Sequence, residues 1–89
     1  MTDADEDAYV CQRTADWCDR MLIEFDHWQA NHPDAPLVDI EPAIVCRGLA
    51  RRMLRILDAG DELPRGSWER LGEATAAVNV RRIEAAIKE

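Results

Sequence analysis

Arg47, Arg51 and Arg55 recur every four residues, a spacing that lines three guanidinium groups along one side of a helix. Planar, always-charged forks in a row suit bidentate contact with carboxylate or phosphate. Ile40 and Ile44 continue the same line, and Arg52 lies on its flank. These arginines either pair with carboxylates of a neighbouring helix or form a site for an anion or an acidic partner. A second stripe precedes them. Asp5, Gln12, Asp16, Asp19 and Asp26 fall on one narrow side of a helical net, with Ile23 inside the stripe and Tyr9 at its edge. Core packing does not account for an isoleucine among aligned carboxylates. An apolar anchor with a charged rim has the build of a protein interface.

Thiols and imidazoles are the other reactive groups. Cys11, Cys18 and Cys46, with His27, His32 and Asp34, are residue types of a zinc site or a nucleophile–base pair. Their spacing suits neither. Two histidines five residues apart match no common zinc-ligand pattern, and a catalytic triad is recognised by geometry, not by inventory. Histidine near a helix C-terminus is favoured by the helix dipole alone. The expectation is a chain that is not an enzyme and carries no metal or cofactor. If Cys11 and Cys18 share a helix, about 10 Å separates them along its axis. That distance excludes a disulfide between them, and a bridge from either to Cys46 stays open. The reading adopted is three reduced core cysteines in a cytoplasmic protein.

Three helices must position these groups. The first spans residues 5–31, with an apolar side at Cys11, Cys18, Met21, Phe25 and Trp28, widened by Val10, Trp17 and Leu22. Asn31-His32-Pro33-Asp34-Ala35-Pro36 stops it, because residues before proline avoid the helical region. The second spans 41–59. Asp39 or Glu41 is placed to accept a hydrogen bond at its start, and Pro42 suits the first turn. Its apolar arc holds Val45, Cys46, Leu49, Ala50, Met53, Ile56 and Leu57, and Gly60 suits the left-handed residue that closes it. The third spans 68–88, with Ser67 as N-cap and a stripe of Trp68, Leu71, Thr75, Ala76, Val80, Ile83 and Ile87. Asn79 falls near the middle of that stripe. Each helix has one wide apolar face and the connections are short. The spacing therefore predicts one all-α domain over 1–89, a three-helix up-down-up antiparallel bundle with a long first helix.

Charge narrows the partners. The chain has 89 residues and a net charge of −7. Residues 1–41 carry eleven acids against Arg13 and Arg20, whereas residues 42–89 carry nine bases against seven acids. The negative field thus belongs to the first helix and the loop after it. Such a field argues against direct nucleic-acid binding, which needs clustered Lys and Arg, and favours a protein with a basic surface. No apolar run is long enough to span a membrane, and the acidic first residues are unlike a basic signal peptide.

In build alone, short, acidic, helical and without a catalytic motif, the chain resembles the colicin immunity proteins and phage-encoded inhibitors of bacterial defence complexes. The tyrosine-pair segment of the immunity proteins is missing, so no residue role carries over. The leading reading is a small acidic non-enzymatic protein that binds a partner through Tyr9, Asp16, Asp19, Ile23 and Asp26, with Trp17 on the flank. It would act as an inhibitor that occupies a basic, nucleic-acid-binding surface of a target complex. A second reading is a self-associating structural or regulatory module, a homodimer with Trp17 and Asn79 at its seam. A third is an anion-sensing module built on Arg47, Arg51 and Arg55.

Overall fold

A computed structural model describes residues 3–35, 38–78 and Ile83 of the chain. Among the described residues its elements are three α-helices, α1 (Asp3–Asn31), α2 (Glu41–Asp58) and α3 (Ser67–Ala77), with Ile83 also helical. There is no strand among the described residues. The helices pack as a bundle in which α2 is the shared partner of α1 and α3. Helices α1 and α3 bring no pair of Cα atoms within 8 Å of each other among the described residues. The Cα trace extends 46 × 20 × 17 Å. The 29 residues of α1, about 42 Å of helix, set the longest dimension.

Small side chains dominate the α1–α2 seam. Cys11, Ala15 and Cys18 on α1 and Ala43, Cys46 and Ala50 on α2 are all buried, with Met21, Leu22, Phe25 and Met53 filling the remaining space. Residues no larger than cysteine let two backbones approach closely. The side chains just outside the seam then meet across it, and this brings the two charged stripes together.

The helix ends follow local chemistry. Asn31 Nδ2 donates to the His27 carbonyl at 3.0 Å, and His32 Nδ1 lies 2.8 Å from the Trp28 carbonyl, so two side chains satisfy the last carbonyls of α1. The His32 ring also stacks on Trp28, with centroids 4.6 Å apart. At the start of α2, Asp39 Oδ1 accepts the Glu41 N–H at 3.0 Å. Gly60 closes α2 with φ +78°. Its N–H donates to the Leu57 carbonyl and that of Asp61 to the Ile56 carbonyl, the paired bonds of a Schellman motif.

Four expectations are corrected. Helix α3 ends at Ala77, so the expected continuous helix is broken there: Val78 is extended, with φ −68° and ψ 122°, and is buried. Val78-Asn79-Val80 is a poor helical sequence, since β-branched side chains lose rotamer freedom there and Asn competes for backbone bonds. Ile83 is buried as the stripe requires, whereas Asn79, Val80 and Ile87 lie outside the described residues. Ser67 is not the N-cap. Gly66, at φ +81°, takes that place, and the Ser67 hydroxyl donates to the Pro64 carbonyl at 2.6 Å. Trp68 is 40% exposed because Ser67 and Leu71, four apart, are the positions that turn inward. Val45 is 55% exposed because the arc of α2 centres on Cys46, Ala50 and Met53, and Val45 sits 100° off that line.

Candidate interaction face

Asp19 is the pivot between α1 and α2. Its carboxylate accepts two bonds of 2.8 Å from Arg51 Nη2 and one of 3.2 Å from Arg47 Nη1. The three side chains are partly covered, with Arg51 the most open. Asp19 therefore stands on the α1–α2 rim and not on the free outer side of α1, where periodicity alone placed it. On a helical net it lies about 100° from the buried Cys18, beside α2. A single carboxylate thus already fills the fork between two of the three arginines. Arg55, one turn further along α2, is exposed and makes no ion pair among the described residues.

One turn from the Asp19 clamp the two stripes meet again. Ile23, four residues after Asp19, and Ile44, three before Arg47, lie on one groove of about 480 Å³, and Leu22, Phe25, Ile40 and Asp26 also line it. Ile23 is 58% exposed and Ile44 43% exposed. Leu22 and Phe25 are buried, so the floor of the groove is continuous with the core. Asp26 is exposed at its rim and makes no ion pair among the described residues. Asp16, also exposed, accepts one bond of 2.9 Å from Gln12 Nε2. The face thus orders an apolar centre, an Asp–Arg clamp in which one carboxylate meets two guanidinium groups, an open acid on α1 and an open arginine on α2.

Two residues named from the sequence do not join this face. Tyr9 is 60% exposed, but fourteen residues of helix, about 21 Å, separate it from Ile23. Trp17 is half-buried against the core. With Arg13, Thr14, Arg20 and Thr75 it lines a different groove of about 390 Å³, where α1 faces α3. A third groove, about 600 Å³, runs beside the exposed Trp68 and includes Asp7 and Leu57. The pairing of Ile23 with Ile44 had a sequence signal: each sits one turn from the residue, Asp19 or Arg47, that its helix contributes to the clamp.

The thiols are interior. Cys11, Cys18 and Cys46 are free and buried. Cys18 and Cys46 are neighbours in the interior, and Cys46 Sγ lies 3.5 Å from Thr75 Oγ1, which donates to the Leu71 carbonyl at 2.7 Å. Burial, then the neighbouring Cys46, pushes the Cys18 thiol up to about 12. Burial, then the nearby Asp7 charge, raises Cys11. A thiol held protonated is a poor nucleophile. Among the described residues no three His, Cys, Asp or Glu side chains are arranged to hold a metal ion, and no helix is long and apolar enough to cross a membrane. The chain matches no protein-family model, no curated protein and no solved structure.

Proposed function

We propose that the protein is a non-enzymatic, cytoplasmic protein-binding module whose helices run up-down-up and whose docking face is built jointly by α1 and α2. Ile23 and Ile44 are its apolar anchors, and Asp16 and Asp26 face basic groups of the partner. One observation carries this reading: two large aliphatic side chains from different helices, 58% and 43% exposed, flank a single groove within a charged face. An apolar centre with a charged rim is how specific interfaces are organised. Helix α1 adds a field of eight acids against two arginines, which speeds encounter with a basic surface. An inhibitor covering the basic, nucleic-acid-binding surface of a target is the form of this function that the field favours. Anion sensing by Arg47, Arg51 and Arg55 is the weaker reading, because Asp19 already occupies Arg47 and Arg51.

The test is affinity capture from the native cell with the wild-type chain and the Ile23→Glu and Asp16→Lys/Asp26→Lys variants in parallel. The reading expects a partner that the wild type retains at low salt and that both variants lose. A partner held equally by all three places its docking surface elsewhere.

A further inference from the structure

The proposed docking face contains both halves of its own complement. Its α1 side offers an open acid, Asp16, and its α2 side an open base, Arg55, at the end of the face beyond the Asp19 clamp. Arg47 and Arg51 share the one carboxylate of Asp19, and among the described residues neither forms an ion pair with a second acid. The apolar pair, Ile23 and Ile44, stands at a shared level one turn away on the other side of the clamp. Acid and base are thus segregated laterally, one per helix, whereas the apolar residues occur on both helices at one level.

From this arrangement, and resting on the docking face proposed above, we infer that in the absence of its basic target the face is covered by a second copy of this chain. The two copies are related by a two-fold axis that runs parallel to α1 and α2 in the plane of contact. Rotation about such an axis exchanges the lateral positions of the helices and leaves their levels unchanged. It lays α1 of one copy over α2 of the other. Ile23 of each copy then meets Ile44 of the second, and Asp16 of each meets Arg51 and Arg55 of the second. Every contact occurs twice, as an isologous interface requires. Asp16 of the opposite copy supplies the second carboxylate that the two clamped arginines lack. A two-fold axis running across the helices would instead lay α1 on α1 with its levels reversed and would place acids of α1 over acids of α1.

Trans-complementation of charge, followed by sedimentation equilibrium, tests this geometry. Asp16→Arg alone sets like charges together twice in a symmetric dimer, and so does Arg55→Glu alone. Each is expected to weaken self-association on the order of tenfold or more. An equimolar mixture of the two variants restores attraction at both places, since the introduced arginine meets the introduced glutamate across the axis and the unaltered Arg55 meets the unaltered Asp16. The mixture is therefore expected to associate more tightly than either variant alone, as a heterodimer, short of the wild-type constant because the introduced arginine also faces Arg51. Neither side chain forms an ion pair in its own chain among the described residues, so both variants are expected to fold when dilute, each with a small fall in melting temperature from the lost Gln12–Asp16 bond or from an acid in the last turn of α2. A wild-type chain that is monomeric at every concentration overturns the inference, and so does a mixture no tighter than either variant alone. Ile23→Glu separates the two levels of argument. A strictly monomeric chain that loses a different protein on this substitution removes the second copy but keeps the face, whereas a monomer whose capture is unaffected removes both.

Discussion

Truncation of Ile23 to alanine isolates the part of the proposed face that has no role in holding the helices together. The substitution removes three carbons, worth about 2.4 kcal/mol of transfer free energy if wholly buried, at roughly 0.8 kcal/mol each. Ile23 is 58% exposed, so the folded chain already realises about two-fifths of that sum, near 1 kcal/mol. Alanine returns about 0.4 kcal/mol through its better helix propensity. The net cost to folding is therefore about 0.6 kcal/mol, a fall in Tm of roughly 2–5 °C for a domain of this size. The exposed share, about 1.4 kcal/mol, is what a partner covering Ile23 recovers, and its loss corresponds to tenfold in affinity. In a symmetric dimer the loss occurs twice, about a hundredfold. Differential scanning calorimetry on dilute protein reads the first quantity, and sedimentation equilibrium or titration calorimetry reads the second. A Tm drop of the stated size with an unchanged dissociation constant refutes Ile23 as an anchor. A much larger Tm drop shows that the side chain belongs to the core and refutes the assignment of its exposed share to a partner.

Other expectations concern the scaffold. Asp19→Asn leaves Arg47 and Arg51 facing a neutral amide. It should cost about 1 kcal/mol in urea unfolding, a difference that shrinks in concentrated salt as the ions screen the partly open pair; an equal cost at both salts would mean packing, not charge, holds Asp19. Gly60→Ala forces a Cβ into the left-handed region at φ +78° although no atom lies within 4 Å to obstruct it, so the cost is conformational, about 1–2 kcal/mol, with Gly60→Asn milder; a neutral Gly60→Ala would contradict the helix-closing role. The three thiols should react with a thiol reagent near neutral pH only as fast as the chain opens, and all three promptly in denaturant; immediate labelling of native Cys18 would contradict its burial. The Cys18 thiol is raised from an ordinary 9.0 to about 12, so the folded state holds its proton more tightly than the unfolded state. That contribution is complete below pH 9 and is lost as pH rises toward 12, and unfolding free energy should fall across this window; a flat profile there would show that Cys18 ionises as freely folded as unfolded.

Periodicity located the interior well where one helix decides alone. Cys11, Cys18, Met21 and Phe25 on α1 and Cys46, Ala50 and Met53 on α2 are buried because steps of three and four keep them on one line. The close of α2 at Gly60 was equally readable, since a residue free to adopt positive φ is needed there. What a single helical net cannot contain is which side of it a neighbour takes. Asp19 and Asp16 look equivalent on the acidic stripe, yet only Asp19 meets the arginines, because α2 packs along that flank of α1. The two isoleucines were visible as separate anomalies, and only packing of α1 on α2 made them one groove. The early end of α3 was missed for a different reason. The apolar repeat continues past Ala77, and burial of the extended Val78 outweighs a repeat that is interrupted by weak helix formers.

The most direct test of the face is a concentration series on protein with isotopically labelled isoleucine methyl groups. The Ile23 and Ile44 methyl resonances are expected to move together as protein concentration rises, with Ile56 on the far flank of α2 unmoved, and a mixed sample of labelled and unlabelled chains should show magnetisation transfer between Ile23 of one chain and Ile44 of another. Stationary Ile23 and Ile44 signals into the millimolar range, both alone and with any captured partner, or changes confined to the groove beside Trp68, would contradict the account.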